Sequence, residues 1–318
     1  MSVILSGTSG QRRQGHHRMD GRAAMSRLPP RRTPIAEAVG GPGGVPPDPI
    51  PGHVGRGLLR GRRALVVGGF GDSSRQGTTV AAALAKEGAA VAVAGSADRT
   101  APAPGAWPLT SHLDTGGRAV VPAQGPGRPG GAPSGAHPDG PVLAAARLVT
   151  GLGARALPIH CDLADESGCR GAVAHTALEF GGVDLLVMCG DDEPVGDGLM
   201  DITTARLDHT FRATVYSALW LVQAARVFMP ADSAVILTAA GTGRPGSPEA
   251  MDHAAGTAGV MRLTRSLAEE LENRGIRVNC AVSDDRDDPH EVAAAYVRLA
   301  GAGTGEVLPV PEALRARL

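Results

Sequence analysis

From Arg63 onward the chain alternates short apolar runs with longer stretches in which apolar residues recur every three or four positions. The runs Ala64–Gly68 and Ala90–Ala94 flank an alanine-rich segment, Thr78–Glu87, and this order predicts a βαβ unit. The alternation then predicts a helix over 142–152, a strand over 155–159, a helix over 165–180, a strand over 184–188 and a long helix over 203–229. It closes with a strand over 234–238, a helix over 250–273, a strand over 276–281, a helix over 290–300 and a strand over 305–308. About seven strands interleaved with helices imply an α/β fold, a doubly wound parallel sheet with helices on both faces.

Two regions break the rhythm. Residues 1–57 are rich in Gly, Pro and Arg, with Arg12, Arg13, Arg31 and Arg32 and no apolar period, which predicts a disordered N-terminal tail. Its Arg-rich, acid-poor composition also suits a targeting or nucleic-acid-binding tail, but no apolar stretch follows the Arg pair as a translocation signal requires. A third, blander reading of this segment is that Met19 or Met25 is the true start. Residues from about 98 to 140 carry Pro102, Pro104, Pro108, Pro122, Pro126, Pro129, Pro133, Pro138 and many glycines, the composition of an irregular surface insertion. The expected organisation is therefore a tail over 1–57 and a single domain over 58–318 that carries this insertion.

The hydrophobic fraction of 42% in 318 residues supplies a real core. A net charge of −1 gives no electrostatic footprint for nucleic acid or an anionic membrane surface. No apolar run approaches the roughly 18–20 residues of a membrane span. Cys161, Cys169, Cys189 and Cys280 have no metal-ligand spacing, so reduced, buried cysteines in a cytoplasmic protein are expected. Arg outnumbers Lys thirty to one and aromatic residues make up 3%, a pattern of GC-rich coding.

Several segments resemble the short-chain dehydrogenase/reductase family: Gly61-Arg-Arg-Ala-Leu-Val-Val-Gly-Gly, Ala85-Lys-Glu-Gly-Ala-Ala-Val-Ala-Val, Cys161-Asp-Leu and Val183-Asp-Leu-Leu-Val. Leu263-Thr-Arg-Ser-Leu-Ala-Glu-Glu-Leu, Arg274-Gly-Ile-Arg-Val-Asn and Thr304-Gly-Glu-Val-Leu continue it in family order, over about residues 61–310. The resemblance implies a Rossmann-like sheet and a nicotinamide dinucleotide, NADP or NAD, as cofactor if one binds.

It also implies functional positions, and most carry other residues. Val67 stands at the family's threonine, Gly68 and Gly77 match the first and last glycines of the phosphate loop, and Arg75 falls on the middle one. Phe70–Ser74 lengthens this loop by three residues. Arg75 either obstructs the usual cofactor pose or clamps a phosphate, and a tight strand-to-helix turn accounts equally well for Gly68, Gly69 and Gly71. Gly95, followed by Ser96, stands where an acid would grip the ribose of NAD; Arg99 is near enough for a 2′-phosphate, though a solvated charge is the plainer account. Asp162 and Leu163 match the family's adenine-contacting pair, and Asp162 equally suits a turn cap. The cofactor-binding candidates are thus Gly68, Gly69, Gly77, Asp162 and Leu163.

The proton-transfer positions fare worse. Met188-Cys-Gly-Asp replaces Asn-Asn-Ala-Gly, Thr214 stands at the structural asparagine, and Ala239 at the catalytic serine, beside the hydroxyl of Thr238. His253 and Thr257 stand at the tyrosine and lysine; neither Tyr216 nor Tyr296 has a lysine four positions on, and the lone Lys86 reads as a surface residue. Losing a positioned acid or base costs about 10²–10⁴ in rate. No catalytic residue is assigned, and the aspartates of Ser283–His290 read as a solvated turn that leaves no room for a substrate lid and is no metal site. Three functions follow from the resemblance: a noncatalytic scaffold or regulatory subunit, an active 3-oxoacyl-reductase-like enzyme using Thr238 and His253, or a dinucleotide-sensing regulator. Family members pair subunits through the helices corresponding to 203–229 and 250–273, which implies a homo-oligomer or a hetero-oligomer with an active relative.

Overall fold

A computed structural model describes residues 45–71, 74–96, 140–190, 199–200, 202–240, 251–284 and 287–310. All belong to one of two compact units, Ile35–Leu318; the other, Met1–Pro34, lies outside the described residues, as do 35–44 of the expected tail, Arg99 and nearly all of the expected insertion.

Seven strands form one parallel sheet: β1 (Arg63–Val67), β2 (Ala90–Gly95), β3 (Ala156–His160), β4 (Leu185–Met188), β5 (Ala234–Ala240), β6 (Arg277–Ser283) and β7 (Val307–Pro309). Their order is β3-β2-β1-β4-β5-β6-β7, so the chain reverses direction across the sheet between β1 and β4. The connecting helices are α1 (Gln76–Lys86), α2 (Pro141–Gly151), α3 (Glu166–Phe180), α4 (Thr204–Phe211), α5 (Ser217–Ala225), α6 (Met251–Glu272) and α7 (Pro289–Gly301). This is the doubly wound, Rossmann-like architecture that the alternation predicts.

Side chains alternate across each strand, and the two faces make separate cores. Ala64, Val66, Val91 and Val93 pack with α1, α2 and α7, whereas Leu65, Val67, Ala92 and Ala94 pack with α3, α5 and α6. Both faces are apolar, as a parallel sheet covered on both sides requires. Among the described residues no helix is long and apolar enough to cross a membrane, and all four cysteines are buried and outside any disulfide.

The long helix expected over 203–229 is interrupted and ends at Ala225. Arg212–Tyr216 forms a π-turn between α4 and α5. There the Thr214 hydroxyl donates to the Thr210 carbonyl at 2.7 Å and the Ser217 hydroxyl to that of Ala213 at 2.8 Å. Such back-bonding competes with the helical N–H ladder and bends the helix.

The expected tail also ends earlier than residue 57. Ile50 is fully buried beside Ala82, Ala83 and Val297, and the buried Glu87 carboxylate accepts the Arg56 and Leu58 N–H groups at 2.9 and 3.1 Å and pairs with His53 at 3.2 Å. Lys86 is not a free surface charge: its ammonium donates to the Ile50 carbonyl and pairs with Asp48, both at 2.6 Å. Residues 45–58 therefore form a strap across the end of α1. Composition hid it because its anchors are one isoleucine and partners some 30 residues away.

The amino ends of the strands carry a second polar cluster. Arg63, opening β1, donates Nε and Nη2 to the Asp184 carboxylate at 2.6 and 2.7 Å and Nη1 to the Gly181 carbonyl at 2.6 Å. Arg62 and Arg277 converge on Asp232, which has φ +67. They border a cleft of about 440 Å³ lined also by Leu58, Leu185 and Val297.

Candidate functional site

In an open parallel sheet, ligands bind beyond the carboxyl ends of the strands where the strand order reverses. Here that place lies between the ends of β1 and β4, where the two following loops touch. Gly68 has φ +80, and a Cβ on it would stand 2.9 Å from the Gly190 carbonyl oxygen. Gly69 has φ +74 and accepts the Gly77 N–H at 2.7 Å; a Cβ on Gly77 would lie 2.1 Å from the Gly68 oxygen. The three candidate glycines thus lie together, and their small size serves backbone packing at the start of α1. Gly190, at φ +71, faces open space where a side chain would stand.

Beside this turn, the N-terminus of α1 has no side-chain cap, although the Gly69 carbonyl takes the Gly77 N–H. Arg75, at the N-cap position, makes no capping bond, and the first turn holds no acid. Its side chain is exposed. By contrast Asp165 caps α3 through the Ser167 and Gly168 N–H groups, and Asp288 caps α7 through that of His290. No acidic side chain offsets the positive end of α1.

Asp162 and Leu163 follow β3 at the same edge. Leu163 is buried in the core, while the exposed Asp162 carboxylate accepts the Ala164 N–H at 2.9 Å, the turn cap that its sequence allows. Gly95 and Ser96 end β2 without an acid.

The proton-transfer positions are dispersed. Alternation along β5 sends Ala239 to the face covered by α6 and Thr238 to the opposite one. There the Thr238 hydroxyl shares a 2.6 Å hydrogen bond with the fully buried Tyr296 of α7, whose phenol burial pushes well above its ordinary pKa. Thr238 and His253 therefore cannot form the displaced pair considered above, since His253 lies on α6 across the sheet. Asp252, next to it, is committed to structure: its carboxylate accepts from Thr210 at 2.8 Å and Arg206 at 2.9 Å. Burial would raise its pKa, but those two bonds hold it below the ordinary carboxylate value. Thr214 turns its hydroxyl into its own helix, and Gly256 packs against it so closely that a Cβ would stand 2.8 Å away. Ser283 donates to Asp287 at 3.0 Å in a self-satisfied turn, and Cys280 is a core thiol that burial pushes up to about 11. No group of three or more metal-ligating side chains occurs among the described residues.

Sequence reasoning missed two participants. Gln76 begins α1 and is buried, with its Nε2 unpartnered, and Tyr296 anchors the Thr238 hydroxyl. A glutamine in an alanine-rich helix gives no periodic signal, and a pair 58 residues apart has none either.

A family model described as enoyl-(acyl carrier protein) reductase matches residues 138–284. An uncharacterized oxidoreductase of Bacillus subtilis, YhxD, is 29% identical over 227 residues, covering 71% of this chain and 62% of that protein. A short chain dehydrogenase from Mycobacterium smegmatis superposes with a TM-score of 0.63 at 22% identity, over 84% of this chain and 97% of that one. In sequence the chain is similar to these oxidoreductases, and in fold to short-chain dehydrogenases. Another protein with this fold, a short chain dehydrogenase from Burkholderia cenocepacia, is a complex with NADP; it is 23% identical with a TM-score of 0.60, over 79% and 97% of the two chains. The chain spans a little over three-fifths of the length of YhxD, the curated relative.

Proposed function

We propose that this chain is a noncatalytic scaffold or regulatory subunit of the short-chain dehydrogenase/reductase type that keeps a dinucleotide-binding edge. The observation that carries the reading is the dispersal of the proton-relay positions: the Thr238 hydroxyl is bonded to Tyr296 on the far face, and Ala239 offers no hydroxyl on the near one. The glycine turn and the start of α1, with no side-chain cap and no acid, retain what a pyrophosphate needs. Gly68, Gly69, Gly77, Asp162 and Leu163 are the residues proposed to face the dinucleotide, NADP or NAD.

Subunit pairing through α4–α5 and α6 belongs to the same proposal. The half-exposed Tyr216 ring meets Trp220 edge to face at 5.9 Å between centroids, and Leu207 is exposed on the same helical segment. Large aromatic side chains left at a surface suit a partner's apolar face.

Thermal denaturation with NADH and NADPH, run beside a turnover assay on ketones and aldehydes, tests the reading. A ligand at about a hundred times its Kd adds roughly 2.7 kcal/mol to stability. The expected outcome is a raised midpoint without turnover, and co-purification of a second subunit. A chain that is always monomeric and binds neither dinucleotide contradicts the proposal. A second reading, an active NAD(P)H-dependent oxidoreductase of the 3-oxoacyl reductase type, is favoured by relatives named oxidoreductases; sustained NADPH oxidation with a carbonyl substrate would establish it.

A further inference from the structure

The cleft at the amino edge of the sheet, about 440 Å³, lies within the roughly 300–1,000 Å³ of small-molecule sites. Its walls are apolar, from Leu58, Leu185 and Val297, and Leu58 is left 60% exposed. Two arginines, Arg62 and Arg277, stand among them. Arg277 is held in place, since its Nη1 donates to the Ala300 and Ala302 carbonyls at the end of α7, both at 2.9 Å. Its Nη2 has only long contacts, 3.3 and 3.4 Å, to the Asp232 carbonyl and carboxylate, beyond the usual hydrogen-bond distance. Arg62 reaches the same carboxylate at 2.5 Å. Asp232 is therefore a carboxylate already seated between two guanidinium groups, and it is seated loosely. Its side chain is 69% exposed, and exposed ion pairs contribute little. It is also the one non-glycine residue with a positive φ among the described residues, a strain that collects at ligand clamps and switches. The other acid of the cleft, Asp184, is bound by Arg63 and does not compete.

We propose that this cleft binds an organic carboxylate with a short apolar body, which takes the place of the Asp232 side chain between Arg62 and Arg277 while its body covers Leu58, Leu185 and Val297. Guanidinium forks match a carboxylate, and the apolar walls give nothing to a bare inorganic anion. The site lies at the edge of the sheet opposite the proposed dinucleotide-binding edge and stands independently of it. In this arrangement Asp232 is a built-in competitor: it holds the two cations in the empty cleft and yields them to the ligand. A purely structural Asp232 would instead preserve the arginine geometry, and removing it would weaken binding.

Calorimetric titration of the full chain with hexanoate tests this, beside hexanamide, which keeps the body without the charge, and inorganic phosphate, which keeps a charge without the body. Hexanoate should bind saturably with one site per chain, and both controls at least about 10-fold more weakly. Arg62→Gln and Arg277→Gln should each weaken hexanoate on the order of 10- to 100-fold, the loss of a charge-assisted bond. Asp232→Gly, which removes the competitor and suits a positive φ, should tighten it about 2- to 5-fold. Arg62 and Asp232 are surface positions, so those two variants keep the test open if Arg277→Gln fails to fold. No binding of hexanoate by the wild type, equal binding of either control, or undiminished affinity in the arginine variants overturns the proposal. Weaker binding by Asp232→Gly overturns the competitor role of that carboxylate.

Discussion

The two edges of the sheet are built on opposite principles. At the amino edge, charges are paired and held: Arg63 grips Asp184, Arg62 and Arg277 share Asp232, and Glu87 and Lys86 fasten the strap. At the carboxyl edge between β1 and β4 the chain offers glycines, a helix without a side-chain cap and an unpartnered amide. Stability concentrates at the amino edge, while the carboxyl edge leaves the buried Gln76 Nε2 without a partner. A binding edge cannot satisfy its own donors without losing the ligand, so the opposite edge supplies the compensating stability.

The sharpest way to break this contrast is Glu87→Ala. It removes a buried carboxylate that holds two backbone N–H groups and His53, and should cost on the order of 3–5 kcal/mol. Urea denaturation measures the loss, and proteolysis should open the strap near residues 51–58; a cost under about 1 kcal/mol would deny the amino edge its role.

Asp184→Asn comes next, at roughly 2–3 kcal/mol. Burial alone would raise the pKa of Asp184, but its bonds from the Arg63 side chain and backbone N–H hold it below the ordinary carboxylate value of 3.8. A depressed folded-state pKa means that this stability is complete above the unfolded-state value and is lost as pH falls through the folded-state one. The wild type should therefore lose stability below about pH 4 more steeply than Asp184→Asn in denaturation at graded pH.

Thr238→Val and Tyr296→Phe each orphan a buried hydroxyl, at about 1–2 kcal/mol, and the double variant should cost less than their sum. Because the pair lies across β5 from Ala239, both variants should leave dinucleotide affinity unchanged; a loss of affinity would return Thr238 to the candidate site. The smallest effect should come from the carboxyl edge itself. Asp162→Ala breaks one exposed turn bond, for about 0.5–1 kcal/mol at most by thermal denaturation.

Much of this was legible in the residues, and the failures are specific. Strands such as Ala90–Ala94 and helices such as 290–300 fall within a residue or so of where alternation predicts them, because period and burial coincide there. The helix over 203–229 was read as continuous because its apolar stripe is continuous. At the π-turn the Thr214 and Ser217 hydroxyls bond back to the helix, which no hydrophobic pattern reports. The strap was read as tail because one buried isoleucine among glycines and prolines carries no period.

The sequence by itself determined the sheet and its helices, since repeated apolar periods are local and redundant. It also determined that neither Tyr216 nor Tyr296 has a lysine four positions on. Only the tertiary structure decided which face each remaining group serves. Thr238 and Ala239 are neighbours in the chain, yet the pleat of β5 sends one to Tyr296 and the other toward α6. Lys86 looks like a surface charge until the strap lies over it. Partnership between distant residues depends on distance in space, and for these groups that distance is what assigns a role.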